Sequence, residues 1–284
     1  MATYLRPGTL DDALDALAAA RLTVLAGGTD FYPARVGRPL DDDVLDITAL
    51  TALRGIRDDG DAWQLGALTT WTDLLRAELP ACFDGLKAAA REIGGVQVQN
   101  AGTLVGNLCN ASPAADGIPN LLALDAEVEL ASAAGERRLP LADFVVGNRE
   151  TRRGPEELAT GVRIPKPRPG AAGAFVKLGA RRYLVISIVM IAVVIEPDAG
   201  RVAGARVAVG ACSPVARRLP ALEAALRDRR LDAGLGDVVS TDHLRAVLAP
   251  IDDVRASADY RWDAAETALR RVLSELGATL GAAR

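Results

Sequence analysis

Two short stretches of small and polar residues could hold a diphosphate through main-chain amides. The first follows an apolar segment and consists of Ala26, Gly27, Gly28, Thr29, Asp30 and Phe31. The second includes Thr103, Val105, Gly106 and Asn107. Adjacent glycines let the backbone approach a ligand closely and point successive N–H groups outward, and threonine hydroxyls add further donors. We interpret the two stretches as halves of one nucleotide-binding cradle.

Each stretch taken alone is also typical of an ordinary turn at the end of a strand. The first does not match the glycine pattern that opens a dinucleotide-binding helix, and no Lys-Ser or Lys-Thr pair follows it as in a P-loop. The familiar nucleotide-binding folds are therefore not indicated.

A carboxylate follows the second stretch at Asp116. It has the wrong sign for a phosphate, but it could accept hydrogen bonds from ribose or ribityl hydroxyls. It could equally cap a helix that begins near Pro119. The residues alone leave both roles open.

Composition excludes several classes of partner. The 284 residues carry a net charge of −4, and 50% of them are hydrophobic. Basic residues are scattered without forming a tract, so nucleic acid is not an expected partner. The longest apolar run, Tyr183 to Ile195, is too short to span a bilayer and is predicted to be a buried strand. Acidic residues near the N-terminus leave no visible export signal, so we expect a cytoplasmic protein.

The cysteines and the single histidine offer no chemistry of their own. Cys82, Cys109 and Cys212 lie far apart, without the clustering that is typical of metal sites. We therefore predict no metal in this chain and interpret Cys109 as a space-filling residue. His243 lies in a helical pattern and is predicted to be structural. No catalytic residue is predicted here.

Periodicity and turn signals divide the chain into three parts. Residues 1–54 predict a helix capped by Thr9 and strands at 22–25 and 44–47. The next part ends in the proline-rich segment 165–170, which is typical of a stiff linker. Its predicted elements are a strand at Trp63–Gly66, a helix that Thr69 or Thr70 caps, a helix at 83–93 and a strand at 127–131.

The third part is predicted to be an antiparallel sheet covered by helices. The predicted strands are 174–178, 185–195 and 202–211. The predicted helices are 219–227, 242–248 and 260–280, the last with Leu269, Val272, Leu273 and Leu276 on one face.

Five motifs in this order resemble the FAD-binding medium subunit of the molybdenum hydroxylases, the family of xanthine dehydrogenase and carbon monoxide dehydrogenase. They are residues 26–30, 65–70, 99–116, 161–165 and 175–179. Ser257 to Arg261 also resembles a segment before that family's last helix. The likeness covers nearly the whole chain.

The resemblance implies an α+β fold with FAD as the cofactor of this chain. A vanillyl-alcohol-oxidase (PCMH)-type FAD-binding domain of two subdomains, 1–54 and 55–168, would precede the flavoprotein C-terminal domain, 173–284. Residues 26–31 and 103–107 would hold the pyrophosphate of FAD, and Asp116 matches the family's acidic contact to the FAD sugar chain.

Two further matches and one departure concern single residues. Ile93 falls where some relatives place an aromatic FAD contact, and Lys177 falls where some place a lysine at the flavin. Without the resemblance, Lys177 would be interpreted as a surface lysine at the end of a strand. Val105 stands where the family commonly has glycine, and valine resists positive φ. We therefore expect a local conformation that a β-branched residue can adopt, or a backbone farther from the phosphates.

The function that the resemblance implies is electron transfer. FAD on this chain would take electrons from a [2Fe-2S] partner and pass them to a small-molecule acceptor. A large subunit with the molybdopterin cofactor and a small iron–sulfur subunit would complete the complex, as a dimer of heterotrimers. The substrate and the acceptor stay open. The alternatives are a self-contained FAD-dependent oxidase and a flavin-free scaffold subunit.

Overall fold

The computed structural model describes residues 2–37, 39 and 41–283, which group into two units. The first unit comprises residues 1–77, 95–111 and 126–165, and the second comprises 78–94, 112–125 and 166–284. This grouping divides the predicted second subdomain, 55–168, between the two units. The boundaries near 54 and 168 to 173 stay predictions.

The α-helices in the described part of the chain are α1 (Leu10–Ala19), α2 (Trp71–Arg76), α3 (Asp84–Glu92), α4 (Val96–Ala101), α5 (Leu104–Asn110), α6 (Gly117–Ala123), α7 (Leu141–Phe144), α8 (Pro220–Leu226), α9 (Thr241–Arg245) and α10 (Ala258–Ala282). The strands are β1 (Tyr4–Leu5), β2 (Thr23–Leu25), β3 (Val44–Asp46), β4 (Ile56–Asp58), β5 (Ala62–Gly66), β6 (Glu127–Ser132), β7 (Gly135–Pro140), β8 (Val145–Gly147), β9 (Glu150–Thr151), β10 (Leu158–Pro165), β11 (Ala172–Leu178), β12 (Val189–Asp198), β13 (Arg201–Gly210) and β14 (Arg217–Arg218).

The first unit contains a small parallel sheet and a larger antiparallel sheet. The parallel sheet has the order β1-β3-β2, and the antiparallel sheet has the order β4-β5-β10-β6-β7. Helix α1 begins as predicted, because Thr9 Oγ1 accepts from the Asp12 N–H, and it buries Ala13, Leu14 and Leu17. Strand β2 leads directly into the first glycine stretch.

The second unit is the predicted antiparallel sheet covered by helices. Its strands follow the order β11-β12-β13-β14. The predicted face of α10 is confirmed, because Leu269, Val272, Leu273 and Leu276 are all buried in one cluster with apolar side chains of β12 and β13. Apolar burial of this kind supplies most of the stability of such a layer.

The predicted strand at 183–195 is wrong in its first part. Strand β12 begins only at Val189, and Tyr183, Leu184 and Ile186 are exposed. Leu184 takes a φ of +51°, and its carbonyl accepts hydrogen bonds from Arg181. A residue in the left-handed backbone conformation cannot continue the hydrogen-bond pattern of a strand, so the segment before β12 is a loop despite its apolar composition.

A buried arginine ties α10 to the sheet of the second unit. Arg261 is 1% exposed, and its guanidinium donates to Ile188 O at 2.6 Å, Ala211 O at 2.8 Å and Asp253 Oδ1 at 2.8 Å. Burial would raise the pKa of Asp253, but hydrogen bonds from Arg255 and Ala256 and the charge of Arg261 outweigh it and hold the pKa at about 2. Asp253 therefore stays ionised beside Arg261 at neutral pH.

Replacing this arginine should destabilise the chain. Arg261→Met is similar in length but leaves the carbonyls of Ile188 and Ala211 without this donor and Asp253 without the charge of Arg261, so the free energy of unfolding should fall by about 3 kcal/mol. Urea denaturation measures the change. Arg271→Met removes an exposed pair with Glu275 on the same helix and should leave the midpoint unchanged. Equal midpoints for the two variants would contradict this role of Arg261.

Candidate functional site: two main-chain turns and a buried ion pair

The first glycine stretch forms a tight turn after β2. Gly28 adopts a φ of +69°, and its carbonyl accepts from the Tyr32 N–H. The backbone conformation therefore favours glycine, and a Cβ on Gly28 would also displace the exposed Tyr32 ring, which lies 2.7 Å away. The turn is followed by a short 3-10 helix at Pro33–Arg35. Phe31 is half-buried and stacks against the guanidinium of Arg35.

The two predicted stretches lie against each other in the first unit. A Cβ on Gly27 would lie only 1.9 Å from Ala101 O, and a Cβ on Gly102 would lie 3.1 Å from Thr29 Oγ1. The main chain of the first turn therefore packs directly on the segment that leads into Thr103. Glycine at 27 is required by this close approach and not by its own φ.

The second stretch is the start of a helix. Thr103 caps α5, with its Oγ1 accepting from the Gly106 N–H at 3.0 Å and its carbonyl accepting from the Asn107 N–H. Because Oγ1 acts as an acceptor in the cap, its O–H hydrogen can still be donated. Val105 is buried in the first turn of this helix, in the right-handed conformation that a β-branched residue adopts without strain.

One polar atom in α5 lacks a partner. Within the described residues, Asn107 Oδ1 is buried and accepts no hydrogen bond. A buried acceptor of this kind costs free energy unless a donor reaches it. An unpartnered buried acceptor in a folded protein calls for an explanation.

An arginine that the sequence did not indicate contacts the first stretch and the end of α5. Arg149 Nη1 donates to Asp30 Oδ2 at 2.7 Å and to Asn110 Oδ1, and the Arg149 N–H donates to Ala111 O at 2.8 Å. The only local signal was the Gly-Asn pair that precedes it, which is typical of a hairpin turn.

The second unit holds the other predicted polar residues in one buried cluster. Lys177 Nζ donates to Asp116 Oδ2 at 2.7 Å, and Ser187 Oγ donates to Asp116 Oδ1 at 2.6 Å. The side chains of Lys177 and Asp116 are 5% and 6% exposed. Lys177 is thus not a surface lysine. Ser187 was missed because nothing in its local sequence points to a partner so distant along the chain.

Asp116 precedes α6 but does not cap it with its side chain. It has helical backbone angles, and its carboxylate points to Lys177 and Ser187 instead of accepting from the helix. Burial raises the pKa of Asp116, and the charge and hydrogen bond of Lys177 and the hydrogen bond of Ser187 oppose that rise. Burial also raises the pKa of the nearby Glu92, which precedes the half-buried Ile93 at the end of α3.

The cysteines and the histidine have structural surroundings. Burial raises the pKa of Cys82 and Cys109 to about 11 and that of Cys212 to about 12, so all three are thiols at neutral pH. His243 Nδ1 accepts from the Ser240 N–H at the start of α9. Among the described residues, no group of three or more metal-ligating side chains occurs, and no helix is long and apolar enough to cross a membrane.

Comparison with known proteins identifies the family. A model of the FAD binding domain in molybdopterin dehydrogenase matches residues 1–167, and a model of the CO dehydrogenase flavoprotein C-terminal domain matches residues 174–276. The chain belongs to the FAD-binding medium subunits of the molybdenum hydroxylase family.

The similarity extends over the full length of the relatives. The chain is 31% identical to the xanthine dehydrogenase FAD-binding subunit of Escherichia coli O157:H7, over 99% of this chain and 97% of the relative. It is 29% identical to the nicotine 6-hydroxylase medium subunit of Paenarthrobacter nicotinovorans, over 97% of each. A chain of the reconstituted CO dehydrogenase from Oligotropha carboxidovorans superposes with a TM-score of 0.90 at 27% identity, over 98% of each chain. The predicted family and α+β fold are confirmed.

The buried ion pair of this medium subunit predicts a pH-dependent loss of stability. Lys177→Met leaves the Asp116 carboxylate buried without its cation, so at neutral pH the free energy of unfolding should fall by about 3 kcal/mol. The folded-state pKa of Asp116 already lies above its ordinary value of 3.8. The variant raises the pKa of Asp116 further. Its loss of unfolding free energy relative to the unmodified chain should therefore grow as the pH rises above the ordinary pKa of Asp116, and it should shrink at lower pH, where Asp116 is protonated in both the folded and the unfolded state.

Urea denaturation at neutral and at acidic pH measures the effect. The double variant Lys177→Met with Asp116→Asn contains no unpaired buried charge and should recover most of the loss at neutral pH. A deficit in Lys177→Met that does not change with pH would contradict an electrostatic origin.

Proposed function

We propose that this chain binds FAD and carries electrons from an iron–sulfur cluster of a partner subunit to an external acceptor. Its partners are a large molybdopterin subunit and a small iron–sulfur subunit, assembled as a dimer of heterotrimers. The observation that carries the proposal is the main-chain contact between Gly27 and Ala101, which joins the two stretches that the family resemblance assigns to the FAD pyrophosphate.

Three properties of the cradle residues suit the diphosphate and the sugar of a nucleotide. The glycines at 27 and 28 allow a tight turn packed on Ala101, and the main-chain N–H groups of such a turn can bind phosphoryl oxygens. Thr29 and Thr103 supply hydroxyl donors beside that turn. Asn107 Oδ1 is a buried acceptor that a hydroxyl of the same ligand would satisfy. The cradle therefore offers donors for the phosphoryl oxygens and an acceptor for a sugar.

Asp116, Lys177 and Ile93 are proposed FAD contacts on the strength of the resemblance. The carboxylate of Asp116 holds one hydrogen bond on each oxygen, and its remaining lone pairs could accept from sugar hydroxyls. Lys177 provides a fixed positive charge, because its ammonium is held by Asp116. Phe31, at the end of the first turn, is proposed to contact the ligand through its ring.

FAD, when bound, supplies redox chemistry that can accept and donate electrons singly or in pairs. The chain's own residues bind and orient it. The main-chain donors hold the diphosphate and thereby set the position of the ring, and a cation near the ring favours a negatively charged reduced form. No acid–base residue of this chain is required for that role.

The proposal is tested on the full chain and on the assembled complex. The full chain should bind one equivalent of FAD with a change in flavin absorbance. Gly27→Ala should weaken this binding by about tenfold or more, because the added methyl group separates the two stretches. Gly8→Ala is the matched control, since a Cβ on Gly8 meets no atom within 4 Å. A chain that takes up no FAD would indicate a scaffold subunit and overturn the proposal.

The electron-transfer role is tested after anaerobic reduction of the complex with dithionite. Dioxygen, NAD⁺ or a soluble quinone should then reoxidise both the iron–sulfur clusters and the flavin, as followed by their absorption. In complex that carries Gly27→Ala and has lost its FAD, the iron–sulfur absorption should stay reduced. Equal reoxidation with and without FAD would contradict electron transfer through this chain, and oxidation of a small alcohol by the isolated chain would favour a self-contained oxidase.

Replacing Asn107 should lower the affinity for FAD without lowering the thermal stability of the chain. Asn107→Leu has a similar volume and removes the unpartnered Oδ1, so the thermal stability of the FAD-free chain should be unchanged or higher. FAD affinity should fall by about tenfold, because one hydrogen bond to the ligand is lost. Differential scanning calorimetry and a flavin titration give the two readouts. Unchanged affinity would show that Asn107 does not contact FAD.

A further inference from the structure

Arg149 joins the first stretch of the cradle to the end of α5, just beyond the second stretch, through three contacts. It lies in the turn between β8 and β9, where Gly147 pairs with Glu150. Its guanidinium reaches Asp30 in the first turn and Asn110 at the end of α5, and its N–H donates to Ala111 O. The contact to Asp30 spans 119 positions of the sequence.

Stability does not account for an arginine at this position. Arg149 adopts a φ of +59°, a conformation that costs free energy in every residue with a Cβ and that glycine adopts readily. The side chains of Arg149 and Asp30 are 55% and 53% exposed, and ion pairs so exposed to water stabilise a fold very little. A residue whose strained backbone is not offset by a stabilising side-chain contact is typical of a functional position.

The charge of Asp30 supplies the reason. Asp30 directly follows Gly27, Gly28 and Thr29, so its carboxylate is a negative charge in the turn that would hold a diphosphate. Repulsion between a carboxylate and a phosphate weakens binding unless a cation compensates it. Arg149 Nη1, at 2.7 Å from Asp30 Oδ2, is such a cation.

We propose that Arg149 is a positioning residue for the diphosphate of FAD: it neutralises the carboxylate of Asp30 in the first turn. The inference rests on the proposed binding of FAD. Arg149 acts through Asp30, and the main-chain N–H groups of the cradle remain the direct donors to the phosphoryl oxygens.

Arg149→Gly removes the guanidinium from a turn that suits glycine. The contact from the main-chain N–H to Ala111 O does not depend on the side chain, so the variant should fold with an unchanged or higher melting temperature. FAD titration of the full chain should show a dissociation constant about tenfold higher than that of the unmodified chain. The difference should shrink at high ionic strength, because salt screens the repulsion from Asp30.

Two further variants separate neutralisation of charge from a mechanical tie. Arg149→Gly combined with Asp30→Asn removes the unpaired carboxylate and should bring the dissociation constant back to within about threefold of the unmodified chain. Arg149→Lys keeps the strained backbone and the positive charge, and it should also bind within about threefold. Failure of both variants to restore binding would overturn the role of charge.

The failure of this inference is distinguishable from the failure of the proposed function. If the unmodified chain binds FAD and Arg149→Gly binds it equally well, Arg149 is only a turn residue and the inference is wrong. If the unmodified chain takes up no FAD at any concentration, the proposed function is wrong.

Discussion

The close approach of the main chain at Gly27 to the carbonyl of Ala101 is the contact on which the candidate site depends. No side chain fits between these segments, since a single Cβ would lie 1.9 Å from that oxygen. Strand β2 delivers the first turn to this point, and the short helix α4 ends there before Thr103 caps α5. Two stretches far apart in the sequence thereby lie next to each other in the first unit.

Charge in both units is arranged in compensating pairs. In the first unit, Arg149 pairs with Asp30 beside the cradle and compensates its charge. In the second unit, Lys177 and Asp116 form a buried pair with Ser187 as a further donor. An isolated buried charge would cost several kcal/mol, so this second pair permits ionised groups at positions that are withdrawn from water.

Local signals predicted the elements that local forces determine. Thr9 as a cap and the spacing of the apolar face of α10 depend on neighbours within a few residues, and the structure has both, whereas the need for glycine at position 27 comes from the distant Ala101. The partners of Asp116 lie 61 and 71 positions away, at Lys177 and Ser187, and no local pattern indicates them. The loop before β12 was missed for a different reason: its apolar residues match a strand, but Leu184 adopts a positive φ and its carbonyl accepts from Arg181.

Val105 shows which glycines a diphosphate cradle needs. Glycine is required where another main chain approaches within the radius of a methyl group, as at Gly27, or where φ is positive, as at Gly28. Position 105 meets neither condition, because it lies in the first turn of α5 with right-handed angles and a side chain buried in the core. Helix N–H groups point along the helix axis whatever the side chain is, so valine there leaves the donor geometry unchanged. The departure from the family's two glycines therefore gives no support to a subunit that has lost its flavin.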